Sequence, residues 1–397
     1  IAGPAFSYIH KTLKQDYENL KKRKAELNTQ VPGDLIIQAL YAMSYFKEYP
    51  IPGEYVQAIG YFSGRVQKTW LKHNRQSQAM AALALYRNND GVNSRAILKS
   101  LKENSVSNET LGRYWKQDMQ AFYWYQAPVE TQALMIEAFA EIDKDDNTIN
   151  ELKQWLLTQK QTRNWRTTKA TADACYALLM QGTDWLSAET DVQIRLGSEN
   201  PLIIRTDEKA EAGTGYIKTM VDGKLIRPDL GQVEVTVSSN TKQPWLSWGA
   251  VYWQYFENLD QITTAGGPLQ LKKQLYVERN TEKGPVLEPV EDGADLMIGD
   301  KLKVRIEIRA DRDLEYVHLK DMRAAGSEPV NVLSGYKWQG GLGYYESTRD
   351  AATNFFFGYL PKGTWVFEYP LFISHEGNFS VGVSTIQCMY APEFAAH

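Results

Sequence analysis

Apolar residues in this chain recur at two different spacings. Up to about residue 187 they return every three to four positions, as in Ile36, Ala39, Leu40 and Met43, which mark one face of a helix. From about residue 188 they alternate. The run KLKVRIEIRA at 301–310 puts Leu302, Val304, Ile306 and Ile308 on one side and Lys303, Arg305, Glu307 and Arg309 on the other, the signature of a half-buried strand. The helical spacing predicts helices over 5–27, 33–48, 53–72, 74–88, 93–104, 128–142, 148–160 and 167–181. Alternation predicts strands near 192–204, 216–221, 231–239 and 245–257, then near 269–279, 301–310, 314–323, 353–360, 363–374 and 378–390.

The breaks carry boundary chemistry. Pro32-Gly33, Pro52-Gly53 and Asp90-Gly91 punctuate the helices, Thr148 with Glu151 reads as a capping box, and Asp222-Gly223, Lys362-Gly363 and Glu376-Gly377 read as turns. Gly340-Gly-Leu-Gly343 lacks the third glycine and the preceding strand of a dinucleotide fingerprint and reads as a flexible loop. Helix pairs with short links imply a solenoid or an α/α toroid, because one pair cannot bury its own apolar face. The fold class read from the pattern is a multidomain α and β chain, an incomplete α/α toroid followed by antiparallel β-sandwich domains. The expected divisions are a toroid part at 1–187, a smaller β domain at 188–264 and a β-sandwich at 265–397.

Composition narrows the possible partners. Of the net charge of −4, residues 1–187 contribute +4 and the remainder −8, and neither half is basic enough for a nucleic-acid surface. Lys21-Lys22-Arg23-Lys24 reads as a solvated helix face. Cys175 and Cys388 cannot build a disulfide framework and read as buried free thiols. The aromatic stretch from Pro244 to Phe256 is too short for a bilayer, which needs roughly 18 residues or more. A start at Ile1 reads as a processed or cloned piece, with any targeting segment upstream. His10, His73, His318, His375 and His397 fall at no metal-ligand spacing, so no metal and no cofactor are expected.

Several motifs invite chemistry. Gln159 and Trp165 stand six apart, similar to the Gln…Trp motif of terpene-cyclase-like α/α folds, with Arg163 where a glycine is expected. Asp143-Lys-Asp145-Asp146 has the form of a DxDD acid motif, but a polar loop before a helix favours solvated carboxylates at the helix N-terminus. A polysaccharide lyase or glycosidase on an α/α toroid plus β-sandwich is the rival enzyme reading, with His73, Tyr86 and Arg113 as conceivable mouth residues.

Three longer segments carry a resemblance: Tyr316-Val-His-Leu-Lys-Asp-Met-Arg-Ala, Asn354-Phe-Phe-Phe-Gly-Tyr-Leu-Pro361 and Cys388-Met-Tyr-Ala-Pro392-Glu393. With Phe122-Tyr-Trp-Tyr-Gln126-Ala-Pro128-Val-Glu130 before them, the chain resembles the carboxy-terminal part of the bacterial alpha-2-macroglobulin family: part of a thioester domain, a CUB-like segment and a terminal macroglobulin-like domain. The resemblance implies a non-enzymatic, periplasmic or cell-envelope protein that traps endopeptidases and acylates them through a Cys–Gln thioester. It places Met389 and Tyr390 as the residues that shield the thioester from water, and Trp124 and Tyr125 as a further aromatic shelter. The motif Cys-x-Glu-Gln follows neither Cys175 nor Cys388, so the resemblance puts the reactive centre upstream of this chain, whose terminal domain would contact the toroid within the same molecule.

Overall fold

The computed structural model describes residues 2–116, 127–180, 190–205, 216, 218–239, 249–256, 258, 262, 266–291 and 293–397. The chain forms two compact units, one of residues 1–156 with 165–247, the other of 157–164 with 248–397.

The first unit holds the helices: α1 (Ala2–Lys22), α2 (Asp34–Tyr45), α3 (Gly53–Thr69), α4 (Arg75–Arg87), α5 (Gly91–Glu103), α6 (Pro128–Ala138), most of α7 (Asp146–Thr162) and α8 (Thr168–Met180). Local chemistry sets their starts. The Ser77 N–H donates to the Asn74 side chain at 2.9 Å ahead of α4, and the Asn93 N–H to Asp90 at 3.1 Å ahead of α5. Pro128 opens α6, where its missing N–H costs nothing, after Ala127 in left-handed backbone (φ 45°). In α4, Ala79 and Ala81 to Leu85 are all buried, and in α6 every residue from Glu130 to Ala138 is. Helices buried on all sides are central ones.

The even-numbered helices pack in series, α2 on α4, α4 on α6 and α6 on α8. They run parallel, because like ends meet. Asp34, opening α2, accepts from Ser77 (2.8 Å) and Asn74 (3.2 Å) at the start of α4. The Thr167 hydroxyl, ahead of α8, donates to Glu130 in the first turn of α6 at 3.2 Å. At the other ends, Arg87 donates to Glu137 (2.7 Å) and Glu141 (2.6 Å), while the Tyr41 hydroxyl reaches Glu137 at 2.9 Å. Arg87 also lies over the Tyr45 ring at 4.1 Å. Burial, with the Glu137 charge beside it, pushes the Tyr41 hydroxyl well above its ordinary range.

Lys153 of α7 is fully buried, and its ammonium donates to the carbonyl of Leu178 at 3.1 Å. That carbonyl is among the last four of α8, which lack intrahelical partners and attract a cation. Desolvation still dominates and lowers the Lys153 pKa to about 8. This unit also contains β1 (Val106–Asn108) paired with β2 (Gly112–Tyr114), and an antiparallel sheet of order β4-β3-β5 from β3 (Thr190–Leu196), β4 (Leu202–Arg205) and β5 (Val233–Ser239).

The second unit is built from two antiparallel sheets. One has the order β10-β14-β8-β6-β7, from β6 (Leu269–Thr281), β7 (Gly284–Pro289), β8 (Lys301–Ala310), β10 (Ser327–Pro329) and β14 (Gly363–Ile373). The other has the order β11-β12-β13-β9-β15-β16, from β9 (Leu314–Met322), β11 (Gly335–Gln339), β12 (Leu342–Thr348), β13 (Ala352–Leu360), β15 (Ser384–Cys388) and β16 (Ala391–Ala396). Val304, Ile306 and Ile308 of β8 are fully buried, as the alternation requires. They join Phe355, Phe357, Phe367 and Tyr344 in one core, where Phe355 and Phe367 meet edge-on at 5.0 Å.

A charged group is buried beside that core. The Asp321 carboxylate of β9, with no exposed surface, accepts from the Lys273 ammonium of β6 at 2.6 Å and from the hydroxyls of Tyr369 (β14) and Ser384 (β15). Lys273 donates again to the Met322 carbonyl at 2.8 Å. Burial, then the Asp321 charge, raises the Tyr369 hydroxyl well above its usual range, so it stays a donor.

Several expectations are corrected. The strands expected at 216–221 and across the described part of 245–257 are absent among the described residues, and Trp253 lies exposed. The strand expected over 378–390 begins only at Ser384. Gly340-Gly-Leu-Gly343 is not a loose loop: Gly340 and Gly341, at φ 60° and 84°, form the two-residue turn between β11 and β12. Thr148 and Glu151 do not form a capping box. The Thr148 N–H (3.2 Å) and hydroxyl (2.7 Å) both donate to Asp145, while Glu151 accepts from Arg113 at 2.7 Å. Cys388 is buried as expected, but Cys175 is exposed.

Lys153 releases its proton near pH 8 when folded and near 10.5 when unfolded, so between these values the unfolded chain binds more protons and stability rises with pH. Melting temperature of the helical unit, compared with Lys153→Met over pH 8 to 9.5, is expected to rise in the wild type relative to the variant; parallel curves would contradict the desolvated lysine. Asp321→Ala strands the Lys273 ammonium and is expected to destabilise the sandwich by about 3–5 kcal/mol in denaturant titrations, with Lys273→Met restoring part of the loss. Strictly additive losses would show that the pair is not coupled.

Candidate functional site

The tip of the β15–β16 hairpin is an exposed apolar feature tied to a rigid element. Cys388 and Ala391 face each other as its closing pair, leaving Met389 and Tyr390 as the turn. The register slips between Gln387 and Cys388, so Gln387 opposes Ala395 and the Pro392–Phe394 stretch bulges on the partner strand. Phe394 turns back into the core, with the Arg312 guanidinium 4.9 Å over its ring.

Strand β9 holds the tip. The Met389 N–H donates to the Tyr316 carbonyl at 2.9 Å, and the Tyr390 ring meets the Tyr316 ring edge-on at 5.3 Å and 85°. Tyr316 itself has left-handed backbone, φ 57°, at an irregularity where Glu315 and Tyr316 both leave the core side between buried Leu314 and Val317. Beneath, the Cys388 thiol donates to the Glu315 carbonyl at 3.3 Å, and burial pushes its pKa up, so it is a structural thiol rather than a nucleophile. Met389 is 56 % exposed, Tyr390 79 % and Tyr316 52 %, which makes the tip an apolar knob pinned at its base.

Met389 and Tyr390 are thus adjacent, as the sequence requires, and share one surface. Trp124 and Tyr125 lie outside the described residues. Tyr316 was missed as a site residue. Its signal was the skipped alternation between Leu314 and Val317, which turns two consecutive side chains outward.

The other candidates have structural partners. Asp145 pairs with Lys102 at 2.5 Å and caps α7; the lysine hydrogen bond leads the effects that lower its pKa to about 2, the opposite of a protonated catalytic acid. Arg163, within the second unit, donates to Asp313 at 3.2 Å and lies 5.6 Å over the Tyr359 ring, which accounts for an arginine where the motif has glycine. Arg113 is held by Glu151 and by the Ser105 hydroxyl, 2.7 Å from each. His73 is a buried ring 3.7 Å from Asp34, and burial lowers its pKa. Tyr86 is half-buried on α4. Asp145, Arg163 and Arg113 are thus held by their own neighbours. Among the described residues no group of three or more His, Cys, Asp or Glu could hold a metal, and no helix is long and apolar enough to cross a membrane.

A family model falls on this part of the chain. Residues 269–393 match the family described as the bacterial alpha-2-macroglobulin MG10 domain. Comparison with curated protein sequences gives no match. Similar solved structures include Escherichia coli alpha-2-macroglobulin activated by porcine elastase, 13% identical over 98% of this chain and 32% of that chain, TM-score 0.37. Trypsin-activated alpha-2-macroglobulin from Escherichia coli is 13% identical over 93% of this chain and 24% of that chain, TM-score 0.37. Salmonella alpha-2-macroglobulin reacted with methylamine is 14% identical over 91% and 21%, TM-score 0.28. The chain spans about a third of the length of the first of these.

A knob this exposed, pinned only at its base, adds little to folding. Met389→Ser and Tyr390→Ser are each expected to change stability of the sandwich by less than about 0.5 kcal/mol, read by denaturant titration. A loss above about 2 kcal/mol would mean that the tip is part of the core.

Proposed function

Taking residues 269–393 as a bacterial alpha-2-macroglobulin MG10 domain, we propose that this chain is the carboxy-terminal, non-catalytic part of a protease-trapping inhibitor, and that Met389 and Tyr390 shield a thioester carried upstream. The exposed, pinned tip is the observation that carries this reading. A thioester hydrolyses when water reaches it, and excluding water from a reactive bond takes an apolar, rigid cover. A thioether beside a phenol gives such a cover. The hydrogen bond from Met389 to the Tyr316 carbonyl and the Tyr316–Tyr390 ring contact limit how far it can swing.

The helical unit is read as part of the α/α toroid that houses the thioester, supported by the parallel packing of α2, α4, α6 and α8. The proposed divisions are a toroid part at 1–187, a CUB-like segment at 188–264 and the terminal macroglobulin-like domain at 265–397. Trp124 and Tyr125 are proposed to add aromatic shelter. The partners of the whole protein are endopeptidases, captured in the periplasm or cell envelope.

The reading is tested on the longer parent protein by thiol release on treatment with methylamine. Tyr390→Gly is expected to speed release at least about tenfold, equivalent to about 1.4 kcal/mol of lost shielding. Equal rates in variant and wild type would refute the shielding role, and absence of any methylamine-released thiol would refute the thioester itself.

A further inference from the structure

Among the described residues the sandwich has four edge strands, and three are closed to further pairing. Strand β7 carries Pro285 and Pro289, β10 is three residues long and ends in Pro329, and β16 carries Pro392 and Glu393. The stretch of β14 beyond β10 is covered by the β11–β12 turn. A Cβ on Gly340 would fall 2.3 Å from the Val366 carbonyl oxygen, and the Glu368 N–H donates to the Gln339 side chain at 3.2 Å.

Strand β11 has none of these guards. It contains no proline, and its one charged residue, Lys337, turns inward to Glu346 at 2.7 Å. The two-residue turn makes Gln339 and Leu342 a hydrogen-bonded pair, so Lys337 and Tyr344 form the next. Tyr336 and Trp338 lie opposite Tyr345 and Gly343 in the intervening pairs, and their N–H and C=O groups therefore point away from the sheet. Their side chains share the outer face, 88 % and 78 % exposed, with Val332 and Leu333 exposed just before the strand.

We propose that β11 is a self-association edge that pairs antiparallel with β11 of a second copy of this chain, about a two-fold axis at Lys337. The strand is self-complementary in that register. Tyr336 faces Trp338 of the second copy and the reverse, which gives two pairs that each exchange both backbone hydrogen bonds. The same pairs bring a phenol against an indole on one face, an arrangement cross-strand aromatics favour. The two Lys337 side chains oppose each other, but each is neutralised by its own Glu346. Four aromatics supply roughly 600–1,000 Å² of buried surface at about 150–250 Å² each, near the lower limit of about 1,000 Å² for a specific interface. The dimer is accordingly weak and concentration-dependent, and it does not depend on the shielding role of the hairpin tip.

Sedimentation equilibrium of the whole 397-residue chain, from about 10 μM to about 1 mM, is expected to show a monomer–dimer equilibrium. Trp338→Pro removes an outward N–H while sparing the ladder to β12, and is expected to weaken association at least tenfold. Trp338→Lys, which keeps the backbone donor, covers the case in which the proline variant misfolds, and Val286→Lys on the closed β7 edge is expected to change nothing. Amide hydrogen exchange gives the independent readout: Tyr336 and Trp338 slow as concentration rises, while Lys337 is protected throughout. A chain that stays monomeric to about 1 mM, association untouched by the Trp338 variants, or exchange at Tyr336 and Trp338 independent of concentration would each overturn the proposal.

Discussion

The buried Asp321 carboxylate fixes the second unit. A lone carboxylate in an apolar core would be prohibitive, so its place there depends on three donors arriving together. Lys273 and Tyr369 come from one sheet and Ser384 from its own, and their meeting sets the register of β6 and β14 against β9 and β15. Apolar packing alone tolerates slippage and repacking; a carboxylate with three donors accepts one arrangement.

The exposed tip depends on that arrangement. Strand β9 carries Asp321 near one end and Tyr316 near the other, and β15 runs from Ser384, bonded to the same carboxylate, to Cys388 at the base of the turn. Fixing both strands at one end positions the Tyr316 carbonyl and the Met389 N–H for each other at the other end. The strained backbone at Tyr316 then turns its ring outward under Tyr390. A rigid interior thus ends in an apolar surface left largely exposed. Such surfaces mark contact sites.

Much of the fold was legible in the residues, and the failures have physical causes. Strand β8 was readable to the residue because one face is core and the other solvent. Strands β11 and β12 were hidden by the glycines of Gly340-Gly-Leu-Gly343, which mark a loop and a tight hairpin turn alike until a partner strand is known. Strand β16 was hidden because Ala391, Pro392, Glu393, Phe394, Ala395 and Ala396 show little alternation, and pairing with β15 decides them. The cap of α7 was misassigned because Thr148 and Glu151 satisfy the capping-box pattern; Arg113, distant in sequence, claims Glu151 and leaves the cap to Asp145. At the candidate site, Met389 and Tyr390 were named through the family resemblance, whereas Tyr316 was marked by the skipped alternation between Leu314 and Val317, and its role rests on the left-handed backbone there.

On the proposed reading the hairpin tip is a cover held ready by a rigid scaffold, which fixes what surrounds Tyr390 in a longer parent protein. Fluorine resonance of a fluorotyrosine placed at position 390 of the parent, recorded with a solvent-borne paramagnetic probe before and after methylamine treatment, measures this most directly. Shielding predicts a ring protected from the probe in the untreated protein and released by the reaction; equal accessibility in both states would contradict it.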